Sequence, residues 1–173
     1  MNREDLARLI TQRSLLQGEF LLRSGATSHE YFDKYLFESD PQLLRAVAEA
    51  LAPLVPEGVD ALAGLELGGV PLAVMLGQVT GLPTLFVRKQ AKEYGTRRLA
   101  EGGEVEGRRL LIVEDVVTSG GQVVLSTRDL KERGALVSTA LCVIDREAGG
   151  AAALQAEGVE LRALFTMTEL KQA

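Results

Sequence analysis

Two adjacent carboxylates, Glu114 and Asp115, follow an unbroken apolar run, Leu110-Leu111-Ile112-Val113. Such a run predicts a buried strand. It is followed by Val116-Val117-Thr118-Ser119-Gly120-Gly121-Gln122, a short hydroxyl- and glycine-rich segment that leads into a helix. A strand of an open α/β sheet delivers such residues to the carboxyl edge, where ligands bind. Backbone N–H groups and the helix dipole there suit a phosphate. Glycine lets the backbone approach without a Cβ clash. Thr118 and Ser119 add hydroxyl donors, and the carboxylates can accept hydrogen bonds from a sugar diol. The loop is not a Walker A loop, because no Gly-Lys-Ser/Thr is present, and no Gly-x-Gly-x-x-Gly follows the strand. As a bare pattern it also fits an ordinary helix-capping loop.

Three further segments carry chemical potential. Arg88, Lys89, Lys92, Arg97 and Arg98 place five basic residues within eleven positions, and their field would attract a polyanion. Read alone, the same run is also a solvated charged loop. Leu67-Gly68-Gly69-Val70-Pro71 can expose backbone N–H groups to an anion, or can be a plain strand-to-helix turn. Arg146 follows the strand-like Val143-Ile144-Asp145, which puts it at the same sheet edge. Its alternative is a surface arginine paired with Asp145 or Glu147.

Composition limits what this chemistry can be. The chain has 173 residues, 46% of them hydrophobic and 25% charged, so one globular domain is expected. A net charge of −5 argues against general nucleic-acid binding. A single cysteine, Cys142, excludes an internal disulfide, and a single histidine, His29, excludes a histidine-rich metal site. No apolar run reaches the ~20 residues of a bilayer span, and Met1-Asn2-Arg3-Glu4-Asp5 lacks a signal-peptide layout. The expected location is the cytoplasm, with no membrane partner.

The positioning elements follow from periodicity. Asn2 caps a helix over residues 3–17 that Gly18 ends. Residues 18–33 read as a hairpin around Ser24-Gly25-Ala26-Thr27-Ser28. Asp40-Pro41 starts a helix that continues to Pro56. From residue 60 short apolar strands alternate with helices. Strands are expected at 61–67, 84–87, 110–113, 137–144 and 159–164, and helices at 71–80, from 121 to Gly134, and at 168–171. Residues 89–104 form the one long loop, and such loops are usually functional. The alternation predicts an α/β fold, a mostly parallel sheet flanked by helices. The expected organisation is one domain over 1–173, with an N-terminal helix, hairpin and helix over 1–58 and the α/β core over 59–173.

The segment from Leu110 to Gly121 resembles the phosphoribosyl pyrophosphate (PRPP) motif of the type I phosphoribosyltransferases. Arg88-Lys89-Gln90-Ala91-Lys92-Glu93-Tyr94-Gly95 resembles the catalytic loop of the orotate phosphoribosyltransferases, Arg-Lys-x-x-Lys-x-His-Gly. The resemblance implies the type I fold with a small N-terminal hood, and transfer of the phosphoribosyl group from PRPP to orotate. It implies that Glu114 and Asp115 hold the ribose hydroxyls, directly or through Mg²⁺, with Asp115 in the catalytic set. Val116 to Gly121, with Gln122, would wrap the 5′-phosphate. Arg88, Lys89 and Lys92 would bind the diphosphate, with Tyr94 beside them and Gly68 and Gly69 in a pyrophosphate loop. Arg88 and Lys92 would serve the neighbouring subunit's site, which implies a homodimer. Arg23, Tyr31, Phe32, Thr118 and Arg146 would take orotate, since an arginine can stack on a planar ring and pair with its carboxylate. Mg²⁺ would be carried mostly by PRPP and water, with no direct protein ligand. The sequence departs from the family at Tyr94, where many members carry histidine, and at Gly68, where many carry lysine. A phosphoribosyltransferase for another base, or a non-catalytic PRPP-binding regulator, is the alternative. Arg23 and Arg146 argue against a neutral base, and the retained basic loop argues against a regulator.

Overall fold

The computed structural model describes residues Met1–Ala173. Helix α1 (Arg3–Ser14) is capped by the Asn2 side chain on the Asp5 N–H. It ends three residues before the expected position, because Leu15 turns extended and opens β1 (Leu15–Leu21). Gly18 is therefore not a helix stop; it lies inside β1, where the register with β2 (Thr27–Phe32) slips between Gln17 and Phe20. These two antiparallel strands form the expected hairpin.

A short helix not foreseen in the sequence follows, α2 (Lys34–Glu38), capped by Asp33 on the Tyr35 N–H. Asp40 then caps α3 (Pro41–Leu51) through the N–H groups of Gln42 and Leu43. Its buried stripe of Leu43, Leu44, Val47, Ala48 and Leu51 faces the sheet.

The main sheet has six strands in the order β5-β4-β3-β6-β7-β8. They are β3 (Ala61–Leu65), β4 (Thr84–Val87), β5 (Ala100–Glu101), β6 (Arg109–Val117), β7 (Leu136–Asp145) and β8 (Glu160–Thr166). All pairs are parallel except β4 with β5. β5 is an addition to the expected strands. It pairs the far end of the long loop back onto β4, Phe86 against Glu101 and Val87 against Ala100. Helices α4 (Gly69–Thr80), α5 (Gly121–Glu132), α6 (Gly150–Ala156) and α7 (Met167–Gln172) complete the chain. α6 also went unforeseen, because its Gly-Ala-Ala-Ala composition has almost no periodic signal.

Two cores sandwich the sheet. Leu62, Leu111, Val113, Leu141 and Val143 pack with α1, α3 and α4 on one face. Ala63, Ile112, Ala140 and Cys142 pack with Val123 and Leu130 of α5 and Leu154 of α6 on the other. Burial on both faces explains the unbroken apolar runs of β3, β6 and β7. The strand order reverses direction between β3 and β6. That is the topological switch point of an open parallel sheet, where a crevice opens beyond the carboxyl ends. No helix is long and apolar enough to cross a membrane.

Candidate active site

The turn after β3 and the loop after β6 flank this switch point. Between them lies a cavity of about 380 Å³, lined by Arg23, Lys34, Glu66, Lys89, Glu114 and the run Val116 to Val123. Gly120 adopts φ +78° and caps α5, so the chain turns sharply from strand to helix. A Cβ there would approach Gly150 Cα to 3.1 Å, so the turn and the start of α6 pack tightly. The α5 N-terminus supplies backbone N–H groups and the positive end of its dipole, a setting for a phosphate. Gln122 is turned along the helix and donates to Ser126 Oγ at 3.2 Å.

A second cavity, about 190 Å³, adjoins the first and shares Lys34, Tyr35, Val116 and Thr118 with it. It adds Tyr31, Phe32 and Arg146. Tyr31 stacks obliquely on Phe20, with ring centroids 5.5 Å apart. Arg146 is aimed by its backbone, its N–H donating to the Val117 carbonyl at 2.9 Å. Glu147 next to it has φ +59° and is held by Thr168, whose N–H and hydroxyl both donate to its carboxylate.

The two adjacent acids have different surroundings. Glu114 lies on the wall of the larger cavity and accepts from the Asp115 N–H at 3.0 Å. Burial, then the neighbouring Asp115 charge, pushes the Glu114 carboxyl well up. Asp115 is fully buried and does not line the cavity. Its Oδ1 accepts from the Val116 N–H at 2.6 Å, and its Oδ2 lies 2.7 Å from Lys34 Nζ. Burial raises the Asp115 carboxyl, but hydrogen bonds from Glu38 and Lys34 outweigh it and hold the group below its ordinary value. Burial and the hydrogen bond to Asp115 push Glu38 up to about 9. Glu38 Oε1 borders the same point, 3.1 Å from where a Gly68 Cβ would stand.

The two glycines after β3 are dictated by space. A Cβ on Gly68 would stand 1.7 Å from Asp115 Oδ2, and one on Gly69 would stand 2.3 Å from the Val113 carbonyl. Gly69 lies at the start of α4, and Gly68 is its N-cap. Glu66, just before them, accepts from the Lys89 N–H at 2.5 Å.

The basic loop divides. Lys89 reaches the cavity. Arg88 and Lys92 turn to β5 instead, with Arg88 Nε 3.5 Å and Lys92 Nζ 2.6 Å from the same oxygen of Glu101. Tyr94 is exposed, with the Lys92 ammonium 5.8 Å from its ring centroid. The structure thus brings together Glu114, Val116 to Gln122, Lys89, Arg23, Tyr31, Phe32 and Arg146. It leaves Arg88, Lys92 and Tyr94 outside the cleft of their own chain, and Asp115 behind its wall. Lys34, Glu38, Glu66 and Glu101 are polar neighbours that the sequence reading did not name. Lys34 and Glu38 had one signal, a Lys–Glu pair four residues apart just after the capping residue Asp33.

The phosphoribosyl transferase domain family matches residues 37–155. An orotate phosphoribosyltransferase of Nocardioides is 54% identical over 158 residues, covering 91% of this chain and 88% of its own length. One of Halobacterium salinarum is 44% identical over 171 residues, covering 98% and 97%. Among solved structures, Mycobacterium tuberculosis orotate phosphoribosyltransferase in complex with PRPP superposes with a TM-score of 0.84. It is 27% identical and covers 98% of both chains. The same enzyme with inorganic phosphate gives a TM-score of 0.87 at 28% identity, again over 98% of both. A glycine-lined cleft at the β3–β6 switch point and full-length likeness to these proteins lead to one assignment: the chain belongs to the orotate phosphoribosyltransferases of the type I phosphoribosyltransferase family.

Proposed function

We infer that this chain joins orotate to PRPP, giving orotidine 5′-monophosphate and pyrophosphate in pyrimidine biosynthesis. The carrying observation is the pair of adjoining cavities that share Lys34 and Thr118, one built for a phosphorylated sugar and one for a planar anion. The larger cavity takes PRPP. Its 5′-phosphate lies against Thr118, Ser119 and the N–H groups that open α5, and Glu114 takes the ribose hydroxyls. The smaller cavity takes orotate between Tyr31, Phe32 and Thr118, with Arg146 and Arg23 opposite its negative charge. Asp115 supports Glu114 from behind rather than meeting the sugar itself, because it is fully buried behind the cavity wall.

The reaction forms a bond from orotate N1 to ribose C1 as the bond from C1 to the diphosphate oxygen breaks. The N1 proton leaves to solvent as orotate ionises, and the electron pair of the broken C1–O bond departs with pyrophosphate. Orotate reacts as a ring-nitrogen anion held by Arg146, so no strong base is required. Charge grows on the leaving group, where fixed cations act most strongly. Lys89 is in place for this in the same chain. Arg88 and Lys92 supply it to the neighbouring subunit's cleft in a homodimer, and the loop 89–104 closes over the reactants to exclude water. Leu67, Val74 and Phe86, exposed apolar side chains after β3, on α4 and on β4, suit such a subunit contact.

No group of three or more His, Cys, Asp or Glu side chains could hold a metal ion by itself. One cavity-wall carboxylate and an anionic substrate fit Mg²⁺ held mainly by PRPP and water. Glu114 is the residue that would reach it. When bound, the ion would neutralise charge on the diphosphate.

The test is to follow orotate absorbance with PRPP and Mg²⁺, with uracil, hypoxanthine, xanthine and adenine in parallel. Loss of orotate that depends on PRPP and Mg²⁺, with the other bases inert, is expected. Consumption of another base would overturn the roles of Arg23 and Arg146. Binding of PRPP without any turnover would move the chain to a regulatory role.

A further inference from the structure

α2 follows Tyr31 and Phe32 with only the capping residue Asp33 between. Its Lys34 and Glu38 lie one helical turn apart, and both border the space beside Asp115 Oδ2. Three chain segments meet at one oxygen. Asp115 Oδ2 lies 2.7 Å from Lys34 Nζ and 1.7 Å from the place a Gly68 Cβ would occupy, and that same place is 3.1 Å from Glu38 Oε1. The other oxygen of Asp115 accepts from the Val116 N–H, the first backbone group of the phosphate loop. Asp115 therefore ties the base-side helix, the turn after β3 and the phosphate loop to one point.

We propose that Lys34 and Glu38 are positioning residues of the transfer site: they clamp the buried Asp115 carboxylate, and through it set Glu114, the Val116–Thr118 backbone and the base-side residues Tyr31 and Phe32 in one geometry. This rests on the reading of the two cavities given above. The Lys34 side chain is one-third exposed and lines both cavities. Removing its ammonium leaves a buried carboxylate without its cation, which forces Asp115 to shift or take up water. Either change displaces the Val116 N–H and loosens α2 at its contact with β6. Both substrates then bind less well, although neither needs to touch Asp115.

The experiment compares the unmutated protein with Lys34→Met, Lys34→Arg, Glu38→Gln, Asp115→Asn and the double variant Lys34→Met with Asp115→Asn. It measures kcat, the KM of each substrate, PRPP affinity by calorimetry, and Tm. Lys34→Met should raise the KM of both PRPP and orotate about tenfold, and Lys34→Arg should recover most of that loss. The double variant should lose no more than Asp115→Asn alone, because both changes act on one contact. A purely structural role would instead lower Tm and the active fraction, and so kcat, at unchanged KM. The proposal is overturned if Lys34→Met keeps both KM values within about twofold, or if the losses in the double variant multiply. If Lys34→Met does not fold, Glu38→Gln decides by the same KM criterion. Failure of the unmutated protein to bind PRPP or consume orotate would instead refute the reading of the cavities.

Discussion

At Gly68 the backbone leaves no room for any side chain. Its Cβ would overlap the Asp115 carboxylate, itself buried and immobilised by Lys34 and the Val116 N–H. An amine reaches this point from α2, where Lys34 Nζ lies beside the oxygen that a side chain at 68 would displace. Gly68→Ala should therefore act as an overpacking change, costing about 1–3 kcal/mol and lowering Tm by roughly 2–12 °C. It should also impair turnover, since Asp115 can yield only by moving the phosphate loop. Differential scanning calorimetry with steady-state kinetics checks both. An unchanged Tm with full activity would show that the turn has space the structure denies it. Tyr94 is exposed at 74%, with the Lys92 ammonium 5.8 Å from its ring centroid.

At the scale of elements, legibility followed burial. β3, β6 and β7 were readable because their buried segments, 61–65, 110–113 and 140–144, are apolar runs, as strands covered on both faces require. α3 was readable because Asp40-Pro41 announces it. The turn between β6 and α5 was readable because its signal is local, a glycine pair at a strand end. α2 and β5 were not, since five residues and two residues carry no periodicity. Their functional content is tertiary: Lys34 and Glu38 gain meaning only from β6, and Glu101 only from the loop folded beside it. β5 leads to a distinct expectation. Its Glu101 holds Arg88 and Lys92, the cations proposed to meet the diphosphate, and Lys92 above all draws the Glu101 carboxyl below its ordinary value. Glu101 thus competes with pyrophosphate for both. Glu101→Gln should tighten product inhibition by pyrophosphate, at most about fivefold, the range of a partly exposed ion pair. Weaker inhibition in that variant would mean that Glu101 aims the cations rather than sequestering them.

The whole molecule raises the question of where Lys92 acts. In one chain it folds back on Glu101 and stays off the cleft that Lys89 lines. If the loop serves the same chain's cleft, it must leave β5 and fold across its own sheet edge. If it serves a second copy, each cleft combines Asp115 and Glu114 of one subunit with Lys92 of the other. The two arrangements separate under subunit mixing. Lys92→Ala and Asp115→Asn are each expected to be nearly inactive alone, and the two defects lie on opposite sides of a shared site. In a mixed dimer the cleft of the Lys92→Ala subunit keeps its own Asp115 and receives an intact Lys92 from its companion. The other cleft carries both defects. Every dimer that carries both variants has one sound cleft in two, so activity of the purified mixed dimer should return to about half of the unmutated level. The check is a co-expressed mixture purified through two different tags, with each pure variant alongside. Activity no higher than the average of the two pure variants would place Lys92 in the cleft of its own chain and make Glu101 a latch that one subunit opens for itself.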